Sequence, residues 1–143
     1  MKNTYTFISL FSGAGGFKIG FEKAGFKCLL SSDIEPTSKK THLKNFKNEP
    51  FLLTDIRTLK TSEILKLTNF IKPDLIIGGP PCQGFSVMGD KNSSDPRNEL
   101  FKSYVRFIDD LKPKCFLLEN VKGLATMYKG TFLEELKNDF AKC

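Results

Sequence analysis

One of the four cysteines stands where a thiol could act as a nucleophile. Cys82 follows the apolar run 75–77 on a turn with the sequence Gly-Gly-Pro-Pro, at the start of a loop that contains glycine and serine. A thiolate presented on such a turn can add to an electrophilic carbon. Cys28 and Cys115 lie inside apolar runs, where cysteine usually serves as a small buried hydrophobic residue, and Cys143 is the last residue. The spacing therefore predicts one reactive cysteine, at position 82.

A glycine-rich segment and two aspartates predict a nucleotide site. Residues 11–17, Phe-Ser-Gly-Ala-Gly-Gly-Phe, lie between a predicted strand and a predicted helix, where glycines let a ligand approach the helix N-terminus. Asp33 ends the next predicted strand, where an acid can bind ribose hydroxyls, and Asp55 follows the third, where it could accept a hydrogen bond from an adenine amino group. Either acid alone fits a helix cap or a solvated turn better. Three strand ends converging on one crevice favour the nucleotide site.

Alternating strands and helices must position these residues. Short apolar runs predict buried strands at 6–10, 28–31, 51–53, 75–77 and 115–118, and longer amphipathic runs predict helices at 17–25, 36–46, 61–71, 95–111 and 131–141. This alternation predicts an α/β fold, a parallel sheet with helices on both faces. Residues 80–94 and 122–130 are expected to be loops. Some residues also mark the ends of the predicted helices. Asp95 can cap the fourth helix, with Pro96 at its first position, and Thr131-x-x-Glu134 is a capping-box pattern for the last helix. Gly25 follows the first helix as a C-cap would.

Composition narrows the class of protein. With 143 residues, 40% of them hydrophobic, the chain is expected to form one domain with a buried core. Its net charge of +6 favours a polyanionic partner without identifying one. The cysteines form no C-x-x-C pair and there is a single histidine, so we expect no structural metal and a reducing, cytoplasmic location. No signal peptide or apolar run long enough to span a membrane is apparent.

Six segments resemble motifs of the DNA (cytosine-5)-methyltransferases and follow one another in the order found in that family. The segment Gly-Gly-Pro-Pro-Cys-Gln-Gly-Phe-Ser at 78–86 closely resembles the catalytic-cysteine motif of that family, and Glu-Asn-Val at 119–121 resembles its E-N-V motif. The glycine segment 11–17 looks like the cofactor loop. The remaining matches are Ser-Asp-Ile-Glu at 32–35, Thr-Asp-Ile at 54–56 and Asp-Pro-Arg-Asn-Glu-Leu-Phe at 95–101. Together they cover residues 7 to 123.

The resemblance implies a Rossmann-like methyltransferase fold. It also implies an enzyme that transfers methyl groups from S-adenosylmethionine to cytosine C5 in double-stranded DNA, as part of a restriction-modification system. Cys82 would add to C6 of a flipped cytosine, Glu119 would protonate or hydrogen-bond N3, and Asn120 would tie the two strand ends together. Without Cys82, Glu119 would be interpreted as a carboxylate that caps a turn. The loop after Cys82, with Gln83, Ser86 and Lys91, would close on DNA. The implied cofactor contacts are Phe11, Ser12, Gly13, Ala14, Gly15, Gly16, Phe17, Asp33, Ile34, Asp55, Ile56, Pro81 and Leu100.

Four features of that family are not found in the sequence. They are two further strands, a Q-x-R-x-R segment, a target-recognition region and a closing C-terminal helix, so residues 1–143 are expected to form a partial catalytic domain. One alternative is therefore a fragment that only binds S-adenosylmethionine, or a subunit that works with a separate C-terminal chain. A second is an RNA methyltransferase, although the Gly-Phe-Ser at 84–86 favours DNA. A nucleotide-binding oxidoreductase would not explain the cysteine and E-N-V motifs together.

Overall fold

The computed structural model describes residues 4–47, 49–81 and 98–143, without the side chains of Asn98, Met127 and Tyr128. In this part of the chain the strands are β1 (Thr6–Leu10), β2 (Lys27–Asp33), β3 (Phe51–Leu53), β4 (Leu75–Gly78) and β5 (Cys115–Leu118). The helices are α1 (Gly16–Lys23), α2 (Pro36–Asn45), α3 (Thr61–Leu67), α4 (Asn98–Leu111) and α5 (Thr131–Phe140), with a 3-10 helix at Lys122–Gly130. None of the described helices is long and apolar enough to cross a membrane.

The described strands form one parallel sheet in the order β3-β2-β1-β4-β5. β1 is central, with Ile8 opposite Leu30 of β2 on one side and Ile76 of β4 on the other. The chain winds outward from β1 to β3 and then returns to add β4 on the opposite side. This reversal makes the β1–β4 junction the topological switch point, outside which ligands bind in open α/β sheets.

Alternating side chains of the central strands send apolar groups to both faces of the sheet. Ile8 and Ile76 pack beneath α3 and α4 in a cluster that includes Tyr104 and Phe107. Phe7 and its neighbours on β4 pack on the opposite face against aromatic residues of α1. Because each face is covered by helices, the central strands carry continuous apolar runs. The predicted α/β class with helices on both faces is confirmed.

A buried tyrosine fixes the carboxyl ends of β4 and β5. The hydroxyl of Tyr104 on α4 lies 3.1 Å from the carbonyl oxygen of Ile76 and 2.8 Å from that of Leu117, to either of which it can donate. Burial raises the pKa of Tyr104 well above its ordinary value. Its ring packs so closely on Gly78 that a Cβ there would lie 2.5 Å from a ring carbon. Gly78 is therefore needed where α4 crosses the strand.

The predicted burial of the edge strand β5 is wrong. Its run Cys115–Leu118 was expected to be buried on both faces, yet Cys115, Phe116 and Leu117 are exposed. β5 is the last strand of the described sheet, and the ring of Phe140 on α5 covers only part of it, 4.5 Å from that of Phe116. The interpretation of Cys115 as a buried residue is therefore wrong, whereas Cys28 is half-buried and packs against the α1-side cluster.

Several helix ends also differ from the predicted ones. α3 ends at Leu67 rather than at 71, because Asn69 and Phe70 adopt left-handed backbone angles. α5 is capped by Gly130 at φ +90°, so the expected capping box with Thr131 as N-cap is wrong and Thr131 is the first helical residue. Residues 122–130 form a 3-10 helix instead of a loop. Gly25 follows α1 in the left-handed conformation, as predicted. Asp95 and Pro96 lie outside the described residues.

Candidate active site

The glycine segment 11–17 turns tightly between β1 and α1. Gly13 and Gly15 both have positive φ, +53° and +100°. A Cβ on Gly15 would lie 2.5 Å from the ring of Phe46 and 3.1 Å from Nδ1 of His42, so this position needs glycine for space as well as for backbone angle. The backbone N–H of Ser12 donates to the carbonyl oxygen of Ser32 at 2.9 Å. The turn is thus tied to the end of β2.

The Asp33 carboxylate is held between the glycine segment and its own turn. Its Oδ2 accepts a 2.7 Å hydrogen bond from the N–H of Gly13, and its Oδ1 accepts one of 2.9 Å from the N–H of Glu35. Each oxygen keeps a further acceptor position, because a carboxylate offers about four. The side chain therefore has a fixed orientation and retains capacity to accept hydrogen bonds from hydroxyl groups.

The Asp55 carboxylate is held by a side chain that the sequence analysis missed. The Nε of Arg57 lies 3.0 Å from both carboxylate oxygens, its Nη2 contacts Oδ2, and its backbone N–H donates to Oδ1 at 2.9 Å. These hydrogen bonds lower the pKa of Asp55. The available sequence signal was a basic residue two positions after the acid on a predicted turn.

A cavity of about 170 Å³ opens where β1, β2 and β3 end. Its lining comprises Phe11, Ser32, Asp33, Ile34, Thr54, Asp55, Ile56, Arg57, Pro81 and Leu100. Seven of the predicted cofactor contacts are among them, while the rest of segment 11–17 forms the adjoining turn. Three larger cavities, of about 520, 330 and 220 Å³, lie against α5, β5 and α4, and no predicted site residue lines them.

The lining combines apolar surface with carboxylate acceptors. Apolar side chains from separate elements, such as Phe11, Ile34 and Leu100, offer surface to a planar base. The carboxylates of Asp33 and Asp55 are hydrogen-bond acceptors, which hydroxyl or amino groups of a ligand can use. Among the described residues, no group of three or more His, Cys, Asp or Glu side chains could hold a metal ion.

The ends of β4 and β5 place Glu119 and Asn120 beside residues 78–80. The N–H of Glu119 donates to the carbonyl oxygen of Gly78 at 2.9 Å, and a Cβ on Gly79 would lie 3.2 Å from Oε2 of Glu119. The side-chain amide of Asn120 donates to the carbonyl oxygen of Pro80 at 2.8 Å. The exposed Glu119 carboxylate therefore lies beside the segment that leads into Cys82. Cys82 itself, with Gln83, Ser86 and Lys91, lies outside the described residues.

Pro81 connects the two sites. It lines the cavity, and its neighbour Pro80 accepts the hydrogen bond from Asn120 at the end of β5. The ring of Phe17 lies 4.0 Å from the position of a Cβ on Gly79. The structure thus places the glycine segment, both aspartates and Glu119 at the carboxyl ends of the strands.

A buried charged cluster behind the glycine segment was not predicted. Lys18 of α1 is fully buried and forms ion pairs with Glu22 and Glu49. Burial alone would lower the pKa of Lys18, but the hydrogen bonds to the two carboxylates outweigh it and the pKa is raised. His42 of α2 is equally buried beside the ring of Phe46, and neither of its ring nitrogens has a hydrogen-bond partner among the described residues. The one sequence signal was the i, i+4 spacing of Lys18 and Glu22.

Comparison with known proteins identifies the family of this chain. A family profile described as C-5 cytosine-specific DNA methylase matches residues 5–143. The chain belongs to this family. The resemblance inferred from the motifs is therefore confirmed.

Individual relatives show how much of a methylase this chain represents. It is 45% identical to the Type II methyltransferase M1.HphI of Haemophilus parahaemolyticus, covering 96% of this chain and 38% of that protein. It is 41% identical to M.AquIA of a Picosynechococcus strain, covering 92% and 54% respectively. A crystal structure of a prophage-encoded DNA modification methyltransferase of E. coli superposes with a TM-score of 0.82 at 33% identity, over 97% of this chain and 38% of that one. The chain thus spans about two fifths to one half of these relatives' length.

Proposed function

We propose that this methylase chain forms the part of a DNA (cytosine-5)-methyltransferase that binds S-adenosylmethionine and carries out the chemistry on cytosine. The observation that carries the proposal is that both groups of residues lie at the carboxyl ends of the strands. There, a cavity with two aspartates adjoins the strand ends that bear Glu119 and lead into Cys82. Such an arrangement would bring a methyl donor and a pyrimidine ring to neighbouring positions.

The cavity residues have separate roles in cofactor binding. We assign Asp33 to the ribose hydroxyls and Asp55 to the adenine amino group, with the apolar lining against the base. When bound, S-adenosylmethionine supplies an electrophilic methyl group. The glycine segment 11–17 gives the cofactor close access to the backbone at the start of α1.

Cys82 is the proposed nucleophile. Its thiolate would add to C6 of the cytosine, and the electron pair of the C5–C6 double bond would make C5 an enamine-like nucleophile. C5 would then take the methyl group from the sulfonium of the cofactor, whose neutral thioether would be the leaving group. Loss of the C5 proton to a base returns an electron pair to the ring, and the C6–sulfur bond breaks with the thiolate as leaving group. Because C5 lies within the base stack of duplex DNA, the cytosine must be flipped out first.

Glu119 is the proposed acid at N3. Addition of the thiolate increases the negative charge on the pyrimidine, and a carboxyl group that donates a proton to N3 would stabilise it. The bond from the Glu119 N–H to the Gly78 carbonyl fixes the backbone of this residue to the end of β4. Its carboxylate lies beside Gly79, three residues before Cys82.

A second candidate is a subunit that binds the cofactor and acts only with another polypeptide. The exposed apolar groups Phe116, Leu117 and Val121 at the end and side of β5 offer a surface for such a polypeptide, because large apolar groups that lie together are usually covered. The covering segment would correspond to the part of the relatives that this chain does not span. It could belong to the same polypeptide or to a separate chain.

Transfer of tritiated methyl groups to DNA tests the proposal and separates the two candidates. The protein is assayed alone and together with a polypeptide that matches the remaining part of M1.HphI. Incorporation that Cys82→Ser abolishes and Cys28→Ser leaves intact would support the proposed chemistry. Dependence on the added polypeptide would support the subunit. Incorporation that is unaffected by Cys82→Ser would contradict both.

A further inference from the structure

The two aspartates of the cavity are oriented by different means. Main-chain N–H groups of Gly13 and Glu35 hold the Asp33 carboxylate. The Asp55 carboxylate instead accepts hydrogen bonds from the guanidinium group of Arg57, together with one main-chain N–H. We propose that Arg57 is a positioning residue that holds the Asp55 carboxylate in the orientation that accepts the exocyclic amino group of adenine. This inference rests on the proposed function, since it assumes that the cavity binds the adenosine group of the cofactor.

The geometry of the pair leaves room for the ligand. Oδ1 accepts the backbone N–H and Oδ2 accepts Nη2, while the single Nε–H of Arg57 is shared at 3.0 Å between the two oxygens. A carboxylate offers about four acceptor positions, and the shared Nε–H only partly occupies one on each oxygen, so the adenine amino group can share an oxygen with it. Both side chains line the cavity, with 22% of Asp55 and 41% of Arg57 exposed. The pair is thus accessible to a ligand that enters the cavity.

The backbone beneath the pair is held independently of Arg57. Arg106 on α4 donates from Nη2 to the carbonyl oxygens of Ile56 and Leu59, at 3.2 and 2.9 Å. The carbonyl oxygen of Asp55 accepts the N–H groups of Thr58 and Leu59 and closes the turn. Removing the Arg57 side chain should therefore free the carboxylate without unfolding the turn.

The charge of Arg57 supports the same role. Its hydrogen bonds lower the pKa of Asp55, so the carboxylate stays an acceptor at lower pH than an unpaired aspartate would. Without Arg57, protonation of Asp55 would begin at higher pH. In the Arg57→Ala variant, the loss of ligand affinity on acidification should therefore begin at higher pH than in the wild-type protein.

Calorimetric titration with S-adenosylhomocysteine and with S-inosylhomocysteine tests the inference, because the second ligand lacks the adenine amino group. Arg57→Ala should weaken binding of the adenosyl ligand about threefold to fivefold, the range expected for a partly exposed ion pair. Arg57→Lys should recover part of this loss. The inosyl ligand should bind the wild-type and Arg57→Ala proteins equally. Lys66→Ala, which removes an exposed cation from α3, serves as the control.

Each contrary result has a distinct meaning. Equal losses for both ligands, tighter adenosyl binding by Arg57→Ala, or a loss of affinity that begins at the same pH in both proteins would overturn the positioning role while leaving the cavity assignment intact. Failure of the wild-type protein to bind S-adenosylhomocysteine would overturn the proposed function, and this inference with it.

Discussion

The side-chain amide of Asn120 donates a 2.8 Å hydrogen bond to the carbonyl oxygen of Pro80, two residues before Cys82. The Oδ1 of the same amide accepts the N–H of Val121 at 2.9 Å, so the side chain is fixed at both ends. The bond between Asn120 and Pro80 joins the carboxyl ends of β4 and β5 and confirms the link between them that was expected from the sequence. Asn120 thereby fixes the main chain at Pro80 relative to Glu119.

Replacing Asn120 with alanine should therefore slow methyl transfer more than it weakens cofactor binding. Misplacement of a reacting group by about 1 Å can reduce the rate on the order of a hundredfold. Single-turnover rates and calorimetric affinities for S-adenosylhomocysteine should be compared with those of Asn138→Ala, an exposed change on α5. A normal single-turnover rate in Asn120→Ala would show that the bond has no positioning role.

Asp33→Asn should weaken binding of S-adenosylhomocysteine. The amide keeps one acceptor oxygen but loses the charge, and a hydrogen bond to a charged group contributes about 1.5–3 kcal/mol, which corresponds to roughly a tenfold to hundredfold change in affinity. Asp109→Asn, at an exposed ion pair of α4, is the matched control. Equal affinities of Asp33→Asn and the control would remove Asp33 from the assigned site.

Gly15→Ala should destabilise the protein. The substitution would place a side chain at φ +100° and a Cβ 2.5 Å from the Phe46 ring, and left-handed strain alone costs about 1–3 kcal/mol. Gly20→Ala lies inside α1 with nothing within 4 Å of its Cβ, so it should instead stabilise by about 0.5–1 kcal/mol. Urea unfolding of both variants measures the contrast. Similar free energies of unfolding for the two would show that the glycine turn is not constrained as described.

Stability should fall as the pH drops below about 6.5 because of His42. Burial, and then the nearby charge of Lys18, lowers the pKa of His42 in the folded protein, against the opposing effects of Glu49 and Glu22. The unfolded chain then binds more protons than the folded protein over this interval, so acid favours unfolding, by at most about 1.4 kcal/mol per pH unit.

His42→Phe should flatten this pH dependence, because phenylalanine fills similar space between Phe46 and Phe51 and does not titrate. The measurement is the free energy of unfolding in urea at several values between pH 5 and 7.5 for both proteins. If the free energy of unfolding depends on pH in the same way in both proteins, the pKa of His42 does not differ between the folded and unfolded states.

Much of the fold could be predicted because short apolar runs that alternate with longer amphipathic runs are typical of the strands and helices of a parallel α/β sheet. The limits of β1, β3 and β5 match the predicted ones. Exposure of β5 could not be predicted, since an apolar run does not reveal what covers it. The early end of α3 depends on left-handed angles at Asn69 and Phe70, and phenylalanine rarely signals such a turn.

The candidate site could be predicted in outline for a similar reason. Strand ends of a parallel sheet converge, so Asp33 and Asp55 were expected to share a crevice, and both line the cavity. The pairing of Arg57 with Asp55 could not be predicted, because it depends on a side-chain conformation within a turn. The burial of Lys18 depends on Glu49, which lies 31 positions away in the sequence.

The most direct test of the central claim is covalent trapping on DNA that carries 5-fluorocytosine. Fluorine at C5 cannot leave as the proton does, so a cytosine that has received a methyl group would stay bonded to the attacking sulfur. The experiment uses the whole protein, or a chimera in which residues 5–143 replace the matching segment of M1.HphI, with S-adenosylmethionine and peptide mapping by mass spectrometry. We predict one adduct, on Cys82, that is absent from Cys82→Ser and retained in Cys28→Ser. An adduct on Cys28 or Cys115, or one that forms in Cys82→Ser, would contradict the account.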